Sequence, residues 1–92
     1  MLEKQIESKV CDYAKSKGWL TYKFTSPARA AVPDRLMIQP GGKVVFVEFK
    51  RTGVKPTEAQ MREHKRLESQ GCHVWVIDSI ESGEGVIDAY SL

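Results

Sequence analysis

Residues 32–50 read VPDRLMIQPGGKVVFVEFK, and this stretch decides the fold. Arg35 to Gln39 and Lys43 to Phe49 are two runs rich in branched and apolar residues, separated by Pro40-Gly41-Gly42. A proline followed by two glycines between such runs is a strong hairpin signal, because glycine reaches the positive φ values that tight turns need. A turn centred on Pro40-Gly41 or on Gly41-Gly42 brings Asp34, at the entrance of the first arm, within one residue of facing Glu48. Cross-strand neighbours hold their Cβ atoms about 4.5–5.5 Å apart. Like charges that close repel each other unless something cationic lies between them, and a divalent cation with oxygen ligands is the natural occupant.

Side chains alternate along a strand, so Lys50 lies on the same face as Glu48 and Phe49 points the other way, to join Val45 and Val47 in the core. The Phe49 backbone carbonyl stays beside the carboxylates as another hard oxygen. Two acids, a carbonyl and an ammonium thus converge at one end of a rigid hairpin, a set able to bind a metal, polarise a phosphate and hold an attacking water. The tripeptide Glu-x-Lys by itself carries little information, since it occurs at 7–9, 48–50 and 63–65. The first and last copies fall in predicted helices, where residues two apart do not face each other. Only the middle copy ends an apolar strand with an acid opposite.

Outward from the hairpin, Leu2, Ile6, Val10, Tyr13 and Ala14 form a helical stripe that ends at Gly18. Trp19 to Phe24 reads as a strand, followed by a loop from Thr25 to Pro33. Beyond Lys50 comes a basic loop, Arg51 to Pro56, and then a helix from Thr57 to about Gln70, stopped by Gly71. Val74 to Ile77 is a short apolar strand expected to be buried, with Trp19 and Trp75 both expected in the core. The tail carries Gly83 and Gly85, and Val86 to Tyr90 fits a short helix or a strand. The order is α-β-β-β-α-β plus a tail, an α/β or α+β sheet with helices packed on it.

Ninety-two residues support one domain, 1–92, and a chain this small is marginal alone, which favours self-association. The charged N-terminus has no apolar stretch behind it, so neither a secretory signal nor a membrane span is expected. Cys11 and Cys72 read as reduced thiols of a cytoplasmic protein in a bacterial or phage-infected cell. With His64 and His73 they match no compact zinc-ligand spacing. His64 reads as an ordinary helix-face residue. Charge is distributed unevenly: residues 23–56 carry seven basic groups against Asp34 and Glu48, whereas 71–92 carry four acids and no Lys or Arg. A polyanion could bind the middle of the chain, with Arg29, Arg35, Arg51 and Lys55 as candidate phosphate contacts.

Val32-Pro33-Asp34, a hairpin, and then Glu48-Phe49-Lys50 resemble the PD-(D/E)XK nuclease superfamily. More narrowly, the chain is similar to the VRR-NUC family of virus-type replication-repair nucleases. The likeness runs from Lys4-Gln5-Ile6-Glu7 and Lys23-Phe24-Thr25-Ser26-Pro27 through Val32-Pro33-Asp34-Arg35, Val44 to Lys50 and Gln60, to Val74-Trp75-Val76-Ile77-Asp78. It implies a restriction-endonuclease-like core, a small mixed sheet flanked by helices. It also implies that Asp34, Glu48 and the Phe49 carbonyl bind one or two Mg²⁺ or Mn²⁺ ions, while Lys50 orients or deprotonates the attacking water. Glu7 would complete the acidic cluster directly or through water, although Glu3 lies one turn earlier on the same helix face. Gln60 would support Lys50 or the phosphate, and Thr57-x-x-Gln60 is equally a capping box. The family usually has glycine where this chain has Ala31; if that position needs φ > 0, Ala31 is strained.

The implied activity is metal-dependent hydrolysis of DNA phosphodiester bonds, leaving 5′-phosphate and 3′-hydroxyl ends. Members this short resemble Holliday-junction resolvases of DNA repair, which implies a homodimer acting on branched DNA. A nickase or flap nuclease is the enzymatic alternative. A non-catalytic DNA-binding module that keeps the fold, and a protein-interaction module with no DNA affinity, are the readings from other classes.

Overall fold

The computed structural model describes residues 1–90. Helix α1, Glu3–Ser16, buries the stripe Ile6, Val10, Cys11 and Ala14, and ends where Gly18 takes φ +88°. Strands β1, Leu20–Lys23, and β2, Arg35–Ile38, run antiparallel, as do β2 and β3, Val44–Phe49. The β2–β3 turn closes through a Gly42 N–H donated to the Gln39 carbonyl, with Gly41 at φ +103° and Gly42 at φ +98°. Only glycine takes such values at no steric cost, which is what the Pro-Gly-Gly run supplies.

Strand β4, His73–Ile77, then joins β3 in parallel and completes the sheet in the order β1-β2-β3-β4. A parallel neighbour requires a crossover, which helix α2, Glu58–Ser69, provides. Alternation along β3 divides the molecule. Val45, Val47 and Phe49 are buried with Met37 and Ile77 against Ile6, Val10 and Ala14 of α1. The intervening side chains, Phe46 and Glu48, face the side of the sheet where α2 packs, and the Phe46 ring meets Phe24 at 5.5 Å between centroids. Among the described residues no helix is long and apolar enough to cross a membrane.

Three details differ from the sequence expectation. The tail is a full helix, α3, Ile80–Tyr90, and it starts well before Val86. Ser79 caps it, its hydroxyl accepting from the Ser82 amide at 3.0 Å. Glycine weakens a helix interior, but a Cβ at Gly83 would sit 2.4 Å from a Val10 methyl, so Gly83 lets α3 lie directly on α1. Strand β4 is an edge strand and is not fully buried: Trp75 and Val76 are 40% and 41% exposed, while Ile77 is buried. Trp19 is in the core, whereas Trp75 lies against Tyr90 at the rim, donating its indole N–H to the Tyr90 hydroxyl. Cys11 and Cys72 are free thiols.

Ala31 has φ +66°, and no other non-glycine residue among those described has positive φ. A left-handed backbone costs an L-residue roughly 1–2 kcal/mol, partly offset by the smaller unfolded-state entropy of Ala relative to Gly. Ala31→Gly should therefore raise unfolding stability by up to about 1 kcal/mol. Urea denaturation will show this as a higher midpoint with an unchanged slope.

Candidate active site

The hairpin loop has three residues, so Gln39 pairs with Lys43, and the ladder pairs Arg35 with Val47. One step further places Asp34 in line with Glu48. The Asp34 backbone is held by its carbonyl, which accepts the Phe24 amide at 2.9 Å, and its carboxylate by Oδ2, which accepts the Phe49 amide at 2.8 Å. Glu48 is only 2% exposed. Its Oε2 accepts the Gln60 side-chain amide at 3.3 Å and lies 3.9 Å from Lys50 Nζ. Its Oε1 is buried with no hydrogen-bond partner, 3.7 Å from an equally unpartnered His64 Nε2.

These contacts show why two acids can share the place. Burial, then the neighbouring Asp34 charge and the hydrogen bond with it, push the Glu48 pKa up to about 8, against an opposing pull from Lys50. In the metal-free protein Glu48 therefore favours its protonated form at neutral pH. Two carboxylates forced together, one of them ionised only at a cost, with a buried oxygen left over, form a donor set that a divalent cation would relieve. Among the described residues no three His, Cys, Asp or Glu side chains converge to cage an ion. Mg²⁺ needs no such cage, since it is commonly held by one or two carboxylates and keeps several waters. Asp34, Glu48 and the Phe49 carbonyl fit that pattern.

Gln60 serves two purposes at once. Its backbone N–H donates to Thr57 Oγ1 at 3.1 Å and its side-chain oxygen accepts from the Thr57 amide at 2.9 Å, a capping box that starts α2. The remaining side-chain N–H₂ is thereby aimed at Glu48. His64, one turn further along the same helix face, is the residue that the sequence reading passed over. The spacing from Gln60 is the signal that could have found it.

The structure does not bring Glu7 to this cluster. Its Oε2 accepts from Arg35 Nε at 2.7 Å and from Lys23 Nζ at 3.3 Å, on the α1 side of the sheet, because Arg35 pairs with Val47 and shares its face. Glu3 is differently placed. The Thr52 amide donates to the Met1 carbonyl at 3.3 Å, which ties the start of α1 to the loop just past Lys50. The Glu3 charge accordingly contributes to raising the Glu48 pKa. Arg29 Nε bonds Glu63 Oε1 at 3.2 Å and holds the β1–β2 loop against α2. Arg51 and Lys55 are exposed and form no ion pair among the described residues.

Comparison with known proteins converges on one family, although no family model matches the chain. A solved structure described as a VRR_NUC domain superposes with TM-score 0.88 at 31% identity, covering 96% of each chain. The chain belongs to the VRR-NUC family. A second structure, described as a VRR_NUC domain protein, shares the fold with TM-score 0.75 at 16% identity, over 98% of this chain and 88% of the other. In sequence, the chain is 48% identical over 77 residues to "Putative nuclease p44" of Acyrthosiphon pisum secondary endosymbiont phage 1, covering 84% of this chain and 83% of that protein. The mixed four-stranded sheet with three helices is thus the restriction-endonuclease-like core expected of a VRR-NUC chain.

The raised Glu48 pKa has a consequence for stability. In the unfolded chain Glu ionises near pH 4.3, so between about pH 4.3 and 8 the folded protein binds one more proton than the unfolded one. Stability from this group is complete at low pH and is lost as pH rises through about 8. Burial lowers the His64 pKa, which acts oppositely but only below its ordinary value near 6.5. Thermal melts in EDTA should show a midpoint that falls from about pH 6.5 to 8 and then levels, with Glu48→Gln removing the fall.

Proposed function

We propose that this VRR-NUC chain is a Mg²⁺- or Mn²⁺-dependent DNA endonuclease that works as a homodimer on branched DNA, with the four-way junction as its preferred substrate. The observation that carries the reading is the buried Glu48 beside Asp34, with Lys50 Nζ 3.9 Å from the same carboxylate. When bound by Asp34, Glu48 and the Phe49 carbonyl, one or two cations would polarise the scissile phosphate and lower the pKa of the attacking water. Lys50 follows the last residue of β3, its backbone N–H held by the Ile77 carbonyl, and its side chain is 14% exposed, so its ammonium reaches the rim of the site. There it orients the water and stabilises charge developing on the phosphate. Gln60 holds Glu48 and presents an amide beside it. Attack in line with the leaving 3′-oxygen leaves 5′-phosphate and 3′-hydroxyl ends.

Of the two glutamates on α1, Glu3 is the better candidate for the role expected of Glu7. Its charge acts on Glu48, whereas Glu7 is already neutralised by Arg35 and Lys23. Arg51 and Lys55 are assigned to DNA phosphates. Arg35 is a poorer candidate, since moving it would strand a largely buried Glu7 charge, and Arg29 would first have to leave Glu63. The relative described as a nuclease and the overall basic charge of +2 are both in keeping with a polyanionic substrate. A homodimer is supported by the sheet face that α2 leaves uncovered, where Leu20 and Tyr22 are each 53% exposed, Val76 41% and Val44 40%.

The test compares wild type with Lys50→Ala, Glu3→Gln and Glu7→Gln on labelled four-way-junction and linear duplex DNA, in Mg²⁺, Mn²⁺ or EDTA. Wild type should cut the junction only with metal, and Lys50→Ala should be slower by about 100-fold or more. Glu3→Gln should lose at least about tenfold in rate, and Glu7→Gln should mainly lower thermal stability. Equal cutting of duplex and junction would remove the junction preference and leave a nickase or flap nuclease. Tight DNA binding without cutting in either metal would indicate a non-catalytic module.

A further inference from the structure

His64 is 7% exposed, on the face of α2 that covers Glu48, and its Nε2 has no hydrogen-bond partner. The facing Glu48 Oε1 has none either, and the two atoms are 3.7 Å apart. Leaving two buried polar atoms unsatisfied is costly, and these two lie within a small shift of satisfying each other. The remaining Glu48 oxygen is already engaged by Gln60 at 3.3 Å. Gln60 and His64 are one helical turn apart, so α2 presents two donors, one to each oxygen of a single carboxylate.

We propose that His64 is a positioning residue for the metal-binding carboxylate, donating Nε2–H to Glu48 Oε1 once the cation is bound. The inference rests on the metal-site reading above. Oε1 is the acceptor that Gln60 leaves free, and a shift of under about 1 Å closes the 3.7 Å gap to hydrogen-bond length. The imidazole then acts with Gln60 as a two-pronged clamp on the carboxylate plane. Outer partners of this kind orient a ligand and commonly change metal affinity by about 10–100-fold when removed. The role requires the tautomer that carries its proton on Nε2.

The test is calorimetric titration of Mn²⁺ into wild type, His64→Leu and His64→Gln, with circular dichroism and thermal melts to confirm folding. His64→Leu should weaken Mn²⁺ binding by about tenfold or more. His64→Gln, which keeps a donor at similar reach, should recover most of the affinity. Nitrogen-15 NMR of wild type saturated with Mg²⁺ should find His64 neutral and protonated on Nε2, a readout that needs no variant to fold. Wild-type affinity in a folded His64→Leu, or a proton on Nδ1, would overturn the clamp while leaving the metal site intact. Absence of Mn²⁺ binding by wild type would overturn the metal site itself and the clamp with it.

Discussion

Everything at the active end of this protein follows from Asp34 and Glu48 being held side by side by a hairpin that cannot slip. Slipping the β2–β3 register by one residue would turn Val45, Val47 and Phe49 away from α1, and burial of these side chains forbids it. The same constraint that fills the core therefore forces two carboxylates together on the opposite face. The apolar burial is large and the repulsion is local, so the fold wins and the site carries the strain as a proton on Glu48. A cation can take the place of that proton, and this links packing directly to chemistry.

The surrounding elements act to hold that pair. The Phe49 amide fixes Asp34 while its ring anchors β3 in the core, so one residue ties packing to the site. The α2 crossover that makes β4 a parallel neighbour also lays Gln60 and His64 over Glu48. The start of α1, tied to the loop after Lys50, brings Glu3 within electrostatic reach, and Glu7 one turn later is used to fix Arg35 and Lys23. The loop before Asp34 is held down by Arg29 on Glu63 and passes through the left-handed Ala31.

Sequence reading reached far where a local rule had no competitor. Pro40-Gly41-Gly42 located the hairpin, the alternation of β3 placed Phe49 in the core and Glu48 opposite it, and Thr57-x-x-Gln60 marked the start of α2. It fell short where a long-range contact decides. Gly83 and Gly85 argue against a helix, yet α3 forms because Gly83 permits close contact with Val10. The apolar string of β4 looked buried, but the strand lies at a sheet edge. The pairing of Glu7 with Arg35 and Lys23 depends on how α1 lies against the sheet, which no helical periodicity reveals. His64 was marked only by its place one turn beyond Gln60, a spacing whose meaning depends on what α2 packs against.

If a divalent cation replaces the proton held by Glu48, metal binding must release that proton. Mg²⁺ or Mn²⁺ binding would be measured by calorimetry at pH 7 in two buffers of different ionisation enthalpy. With Glu48 raised to about 8, binding should expel close to one proton per chain, and Glu48→Gln should abolish that release. Tight binding with no proton released, or release that persists in Glu48→Gln, would show that the cation does not displace a proton from Glu48.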